Sequence, residues 1–300
     1  MIRIFSGHIQ RARRLFSLLL LLAPLLALPG ETKGAEPTPL ISISFAPDTP
    51  LSIRLRARED STVVRLDYGH GTPEERLIWD SYSDVEVKPQ PKGGIVRIYG
   101  RVAGLDCSSA PKAIRALEVS KCPSLEELNV EGCQLAALDL SGNPELEELE
   151  CASNRLSTLD LSACRALRYL DCHSNNISEL KVSSSDSLRY LDCSENVLKN
   201  IDLSRSAALQ TLYCQNNQLA TLELRTNWKV YQLACFGNNL SPLAIETLLR
   251  GLHIAPVGRQ GVIYLDAIPS ESMTHSLRMT LELARRKRWR VDYSGVVRGD

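Results

Sequence analysis

The sequence predicts a repeat solenoid with a parallel β sheet on its concave face and short irregular convex segments. A small all-β domain precedes it and an α/β cap closes it. Three observations predict this. Segments led by Leu125, Leu146, Leu167, Leu188, Leu209 and Val230 follow one another every 21 residues. A period of that size marks units that bury their apolar faces only by stacking. Before Arg101 the repeat is absent and apolar residues alternate with polar ones, the mark of half-buried strands. After Leu240 the period dissolves into helical spacing.

Residues 1–35 read as an export signal. Arg3, Arg11, Arg13 and Arg14 precede an apolar run from Leu15 to Leu28 that is broken by Pro24. The run is shorter than the ~20 residues that a spanning helix needs and lies where a cleavable signal lies. Cleavage between Ala27 and Ala35 is expected, with a retained anchor as the alternative. The expected location is the periplasm, the cell surface or the medium, with no membrane span once the signal is removed.

Residues 36–101 carry strand candidates at Ile41–Phe45, Leu51–Leu55, Val63–Leu66 and Val96–Ile98, separated by proline- and glycine-bearing turns. They predict a small β sandwich. Leu66-Asp67-Tyr68-Gly69-His70-Gly71-Thr72 resembles the D-[WYF]-G-D-G-T turn of polycystic-kidney-disease-type sandwiches, with His70 in place of the usual aspartate. That replacement weakens any calcium inference. Two glycines around a polar residue more simply mark a turn that needs positive φ.

Residues 102–240 form the repeats. Positions four and six of each unit alternate across a short strand and point inward together. Position four is Leu128, Leu149, Leu170, Leu191, Leu212 and Leu233; position six is Cys151, Cys172, Cys193, Cys214 and Cys235, which Cys107 extends. Leu156, Leu159 and Leu161, then Ile177, Leu180 and Val182, add further core columns. Position nine carries Asn154, Asn175, Asn196, Asn217 and Asn238, expected to supply hydrogen bonds to turn backbone that lacks ladder partners. The signature L-x-x-L-x-C-x-x-N-x-L, met by Leu146-Leu149-Cys151-Asn154-Leu156 and by Leu209-Leu212-Cys214-Asn217-Leu219, resembles the leucine-rich repeat family. The tail Leu138 to Pro144, L-D-L-S-x-N-P, is similar to the bacterial internalin type, in its short form with a cysteine column. The resemblance covers about half the chain and implies a protein-binding function.

In-register parallel coils point their β carbons the same way, a poor start for a disulfide, and cysteine packs as a small hydrophobe. A ladder of free thiols is the expectation. One sulfur per coil cannot surround a tetrahedral ion, so no metal is expected, and no cofactor.

Residues 241–300 read as the cap. Ser241-Pro242 opens a helix with a serine cap and proline at its first position. A strand at Val262–Leu265, a helix near Ser272–Lys287 and a strand at Trp289–Val291 follow. Arg285, Arg286, Lys287 and Arg288 suit a helix C-terminus, and Lys+Arg and Asp+Glu balance at 35 each, so no nucleic-acid partner is expected. The terminal Arg298-Gly299-Asp300 matches the integrin-recognition tripeptide, a match that arises easily by chance.

Catalytic motifs are absent: there is no phosphate loop, no H-E-x-x-H and no G-x-S-x-G. The chain is expected not to be an enzyme. Positions three, five and seven point outward along the strands. They give an expected ligand-binding set of Tyr169, Asp171, His173, Tyr190, Asp192, Tyr213, Gln215 and Phe236. Toward the N-terminal side, Glu127, Glu131, Glu148 and Glu150 make the same face acidic, suited to basic partners. The expected function is an exported, monomeric module mediating adhesion or cell-surface interaction with a host or bacterial surface protein. Two alternatives remain: a structural or assembly scaffold of the cell envelope, and an enzyme with a pocket between sandwich and solenoid.

Overall fold

A strict 21-residue spacing of inward leucines leaves the backbone one solution: each unit makes one coil, and each coil adds one three-residue strand to a common sheet. The computed structural model describes residues 38–293 apart from 48, 70–71, 88–93, 111–112 and 183–185. The leader at 1–35, His70 and Gly71 of the glycine turn, and the terminal Arg298-Gly299-Asp300 lie outside the described residues.

The first strands are β1 (Ile41–Phe45), β2 (Leu51–Arg56), β3 (Thr62–Asp67), β4 (Glu74–Ile78), β5 (Ser83–Val87), β6 (Gly94–Tyr99), β7 (Gly104–Asp106) and β8 (Ile114–Glu118). Alternation places Ile41, Ile43, Ile53, Leu55, Val64, Leu66, Val96 and Ile98 in the core, each fully buried. Strands β4-β3-β6-β1-β8 form one sheet, in that order. Strands β2 and β5 do not pair with it. They extend the sheet of the repeats, through antiparallel pairing of β2 with β7. The sandwich is therefore built onto the end of the solenoid, with one of its layers continuous with the repeat sheet. Leu117 lies in β8 opposite Ile43 of β1. Gly69 has φ +77° and its N–H donates to the Asp67 carboxylate at 2.7 Å, so the described half of the glycine motif is a turn.

The repeats supply β9 (Glu127–Asn129), β10 (Glu148–Glu150), β11 (Thr158–Asp160), β12 (Tyr169–Asp171), β13 (Glu179–Lys181), β14 (Tyr190–Asp192), β15 (Thr211–Tyr213) and β16 (Gln232–Ala234). Strands β9, β10, β12, β14, β15 and β16 pair in parallel and in register, leucine beside leucine. On another side of the coils β11 and β13 pair as a separate two-stranded sheet.

The asparagine column works as its chemistry requires. Asn196 donates from Nδ2 to the carbonyls of Cys172 (3.0 Å), Cys193 (3.2 Å) and Ser194 (3.0 Å), and its Oδ1 accepts from the Ile177 N–H at 2.9 Å. Asn154, Asn175, Asn217 and Asn238 repeat this pattern. Cys133 stands in the same column without an amide, and its thiol donates to the Cys107 carbonyl at 3.7 Å. A second ladder was not anticipated: Asn143 donates to the carbonyls of Val119 and Cys122, and Asn227 to those of Leu203 and Ser206.

All nine cysteines are buried and unbonded. Burial pushes their thiols up, and Cys172, Cys193 and Cys214 stand well above the usual range. Cys193 and Cys214 donate through Sγ to the next coil's carbonyls at Tyr213 (3.5 Å) and Ala234 (3.4 Å). A thiol here fills an apolar column and adds a weak inter-coil contact.

The C-terminal cap comprises α1 (Pro242–Gly251), β17 (Gly261–Tyr264), a 3₁₀ turn (Ser270–Ser272), α2 (His275–Arg286) and β18 (Trp289–Asp292). The Ser241 hydroxyl caps α1 by accepting from the Ala244 N–H, and the Thr274 hydroxyl caps α2 by accepting from Leu277. Strands β17 and β18 extend the parallel sheet beyond β16. No helix among the described residues is long and apolar enough to cross a membrane.

Candidate ligand-binding face

The parallel register dictates what each outward column contains. Neighbouring strands lie about 4.8 Å apart, so residues one period apart become side-by-side neighbours. Tyr169 pairs in register with Tyr190, and Asp171 with Asp192. The Tyr169 and Tyr190 rings stack face to face, 4.4 Å between centroids and 6° between planes. Tyr213 belongs to the next column, in register with Asp192, and meets Tyr190 edge to face at 5.9 Å and 85°. Its hydroxyl also accepts a hydrogen bond from Gln232 Nε2. All three rings are half-buried, and desolvation keeps their phenols protonated, raising Tyr169 to about 12.

Beside the rings lie Asp171, His173 and Asp192. His173 Nδ1 is 2.6 Å from Asp171 Oδ1, and this hydrogen bond raises the imidazole to about 9, so it carries a proton at neutral pH. Asp192 accepts from the Ser194 N–H (3.0 Å) and hydroxyl (2.6 Å), yet burial lifts its carboxyl above the ordinary value, with Asp171 adding repulsion. Ligand-type atoms of Asp171, His173 and Asp192 lie within 4.8 Å of one another, the one such group among the described residues able to converge on a metal ion.

The structure thus gathers six of the eight expected residues: Tyr169, Tyr190, Tyr213, Asp171, His173 and Asp192. Gln215 lies in the His173 column two coils on, and its buried Oε1 has no hydrogen-bond partner among the described residues. Phe236 is half-buried and stacks on no described ring.

The acidic end of the face is two surfaces, not one. Glu127 is neutralised by the sandwich: Arg56 pairs with it at 3.0 Å and the Tyr82 hydroxyl donates to it at 2.9 Å. Asp106, the first member of the Asn129–Glu150–Asp171–Asp192 column, is paired with Arg54. Sequence reasoning missed Arg54, Arg56 and Tyr82 as contributors to this face. Their signal was the alternation Arg54-Leu55-Arg56, whose arginines must face away from the buried leucine. What was missing was the knowledge that β2 joins the repeat sheet. Among the described residues no lysine or arginine is ion-paired with Glu148 or Glu150.

A cavity of about 320 Å³ lies where the sandwich meets the first coils, lined by Arg58, Glu59, Thr62, Arg101, Val102, Ala103, Pro123, Ser124 and Glu145. Arg58 is already engaged there with Glu126 and Glu145. No histidine or cysteine lines the cavity.

Residues 144–184 match the family model described as Leucine Rich repeats (2 copies). No curated protein matches the chain. Among solved structures, the chain is similar to a leucine-rich repeat protein of Leptospira interrogans at 23% identity, over 53% of this chain and 42% of that one, with a TM-score of 0.41. It is similar to the functional domain of InlJ from Listeria monocytogenes, which includes a cysteine ladder, at 19% identity, over 71% and 58%, with a TM-score of 0.28. It is also similar to internalin C2 of Listeria monocytogenes at 19% identity, over 47% and 74%, with a TM-score of 0.33. The chain spans less than two thirds of the length of the first two.

Proposed function

We propose that this chain, a solenoid of leucine-rich repeats, is a non-enzymatic protein-binding module whose ligand docks on the concave face around Tyr169, Tyr190 and Tyr213. The observation that carries the reading is the run of three tyrosines, Tyr169 stacked on Tyr190 and Tyr190 edge to face with Tyr213, on the outward face of the repeat sheet. Half-buried aromatic rings with a polar tip give large contact area at small entropic cost. The chain could have placed Thr or Ser in those columns without loss to its core, because the inward leucines and cysteines hold the coils together. The leader at 1–35 supports an exported module, working in the periplasm, at the cell surface or in the medium. Adhesion to a host or bacterial surface protein is the task proposed for it, with the module acting as a monomer.

The test is affinity capture from extracts of host-cell surfaces and neighbouring bacteria. The bait is the wild type and a Tyr169→Ala/Tyr190→Ala/Tyr213→Ala variant of unchanged melting temperature. Partners held by the wild type and lost by the variant are expected. Equal capture by both would contradict the concave-face reading and favour a scaffold role in the cell envelope.

A further inference from the structure

Several acidic side chains off the concave face carry their own counterions. Glu126 and Glu145 pair with Arg58, Glu147 with Arg168, Asp160 and Glu179 with Lys181, Glu246 with Arg250, and Glu282 with Arg285. Some rings elsewhere carry a cation too: Arg65 lies over Tyr99, Lys229 over Trp228 and Arg259 over Tyr231, and at the sandwich end of the face Arg54 lies over Tyr82. The concave centre shows none of these pairings among the described residues. Among the described residues no lysine or arginine pairs with Glu148, Glu150, Asp171 or Asp192, and none lies over Tyr169 or Tyr190.

Geometry makes this a slot. One face of the Tyr169 ring is stacked on Tyr190, toward the C-terminal coils. Its other face turns toward the adjacent coil, where Glu148 is its in-register neighbour and Glu150 is the neighbour of Asp171. A planar cation on that ring face would lie on the side of the ring where the neighbouring strand carries Glu148 and Glu150. Burial lifts the Glu150 carboxyl above its ordinary value, and Asp171, Glu131, Asp106 and Glu148 add to the lift. Asn129 Nδ2 donates to it at 2.8 Å but brings no charge. Glu148 is likewise raised, by burial, Glu127 and Glu147, against partial relief from Arg56 and Arg168.

We propose that the slot bounded by the free face of Tyr169, Glu148 and Glu150 receives an arginine side chain from a basic segment of the protein ligand. The assignment rests on the concave-face reading above and names the chemistry of the partner. Arginine fits better than lysine because its flat guanidinium stacks on a ring while its edge meets carboxylates through paired hydrogen bonds.

The experiment titrates the full chain, in buffer containing EDTA, with a peptide bearing three arginines spaced by glycine. A second peptide carries citrulline, the neutral isostere, at the same positions. Expected are saturable binding of the arginine peptide and loss of at least about tenfold in affinity with citrulline. A Glu148→Gln/Glu150→Gln variant should lose about tenfold as well, and Tyr169→Leu a smaller factor of about five. A Glu179→Gln/Glu223→Gln control, changed at exposed acids elsewhere, should bind like the wild type. Equal binding of both peptides, or an undiminished Glu148→Gln/Glu150→Gln variant, would overturn the slot. The peptide comparison on the wild type needs no folded variant. In the capture experiment, a partner lost by the triple tyrosine variant but kept by Glu148→Gln/Glu150→Gln would sink the slot alone. A partner kept by both would sink the concave-face reading with it.

Discussion

Inward and outward columns of the same strands obey different rules, and the contrast separates what folds this protein from what it uses. Inward, one residue type repeats from coil to coil: leucine at 149, 170, 191, 212 and 233, and cysteine two residues later, all fully buried. Outward, on the same strands, the residue type changes along the sheet, from Glu148 and Glu150 through Tyr169 and Asp171 to Tyr213 and Gln232. Stacking demands identity inside, because each coil must meet a copy of itself. Nothing in the fold demands stacked tyrosines beside unpaired carboxylates. Such a face raises the energy of the free protein, and a ligand of opposite charge would relieve it.

The largest expected effect lies inside. Asn196→Ala leaves the Ile177 N–H without a partner in a buried turn, removes one of the hydrogen bonds to each of the Cys172, Cys193 and Ser194 carbonyls, and should cost roughly 1–3 kcal/mol, read by denaturant unfolding. An unchanged unfolding midpoint would break the interior half of the comparison. Cys193→Ser puts a hydroxyl in the apolar column at a cost of about 1 kcal/mol. The native thiols should resist alkylation until denaturant is added, and rapid native labelling would show that the column is not sealed.

Outside, the sign reverses. Because Glu150 is raised in the folded state, ionising it costs stability, and that cost is fully present above its folded value. Glu150→Gln should therefore stabilise at neutral pH by up to about 0.5 kcal/mol, the gain fading as acid protonates the wild-type carboxyl. Destabilisation would mean that the carboxylate is structural. The smallest effect belongs to His173. Its folded value of about 9 exceeds the unfolded value of about 6.5, so its contribution is full below ~6.5 and is lost as pH rises through about 9. Solvent screening limits it to a few tenths of a kcal/mol. The melting-temperature gap between wild type and His173→Gln should close between pH 6 and pH 10, and an imidazole titrating near 6.5 by NMR would refute the Asp171 bond.

The inward columns were legible because a strict period superposes many weak signals, and the outward set followed from them by alternation alone. That is why six of the eight candidate residues could be placed side by side from spacing. Phe236 fell away because register sets which column a ring occupies but not whether it reaches its neighbour. Strand β4 escaped notice because four of its five residues are exposed, leaving no alternation to read. Strand β5 was hidden by its charged Asp84 and Glu86. The joining of β2 to β7 pairs residues about fifty positions apart outside the repeat, and no local pattern carries it. With that pairing hidden, Glu127 looked like part of an open acidic surface. The second asparagine ladder appears only at Asn143 and Asn227, because Cys164, Ser185 and Ser206 take the intervening places.

The measurement that tests the division most directly is site-specific photocrosslinking in extracts that contain the ligand. A benzophenone side chain replaces Tyr213 or Gln215 on the concave face in two proteins, and exposed Glu179 or Lys199 away from it in two others. The account predicts adducts to one shared partner from positions 213 and 215 and none from 179 and 199. Adducts from 179 or 199 with silence at 213 and 215 would contradict it, placing the ligand on the surface that the outward strand columns do not reach.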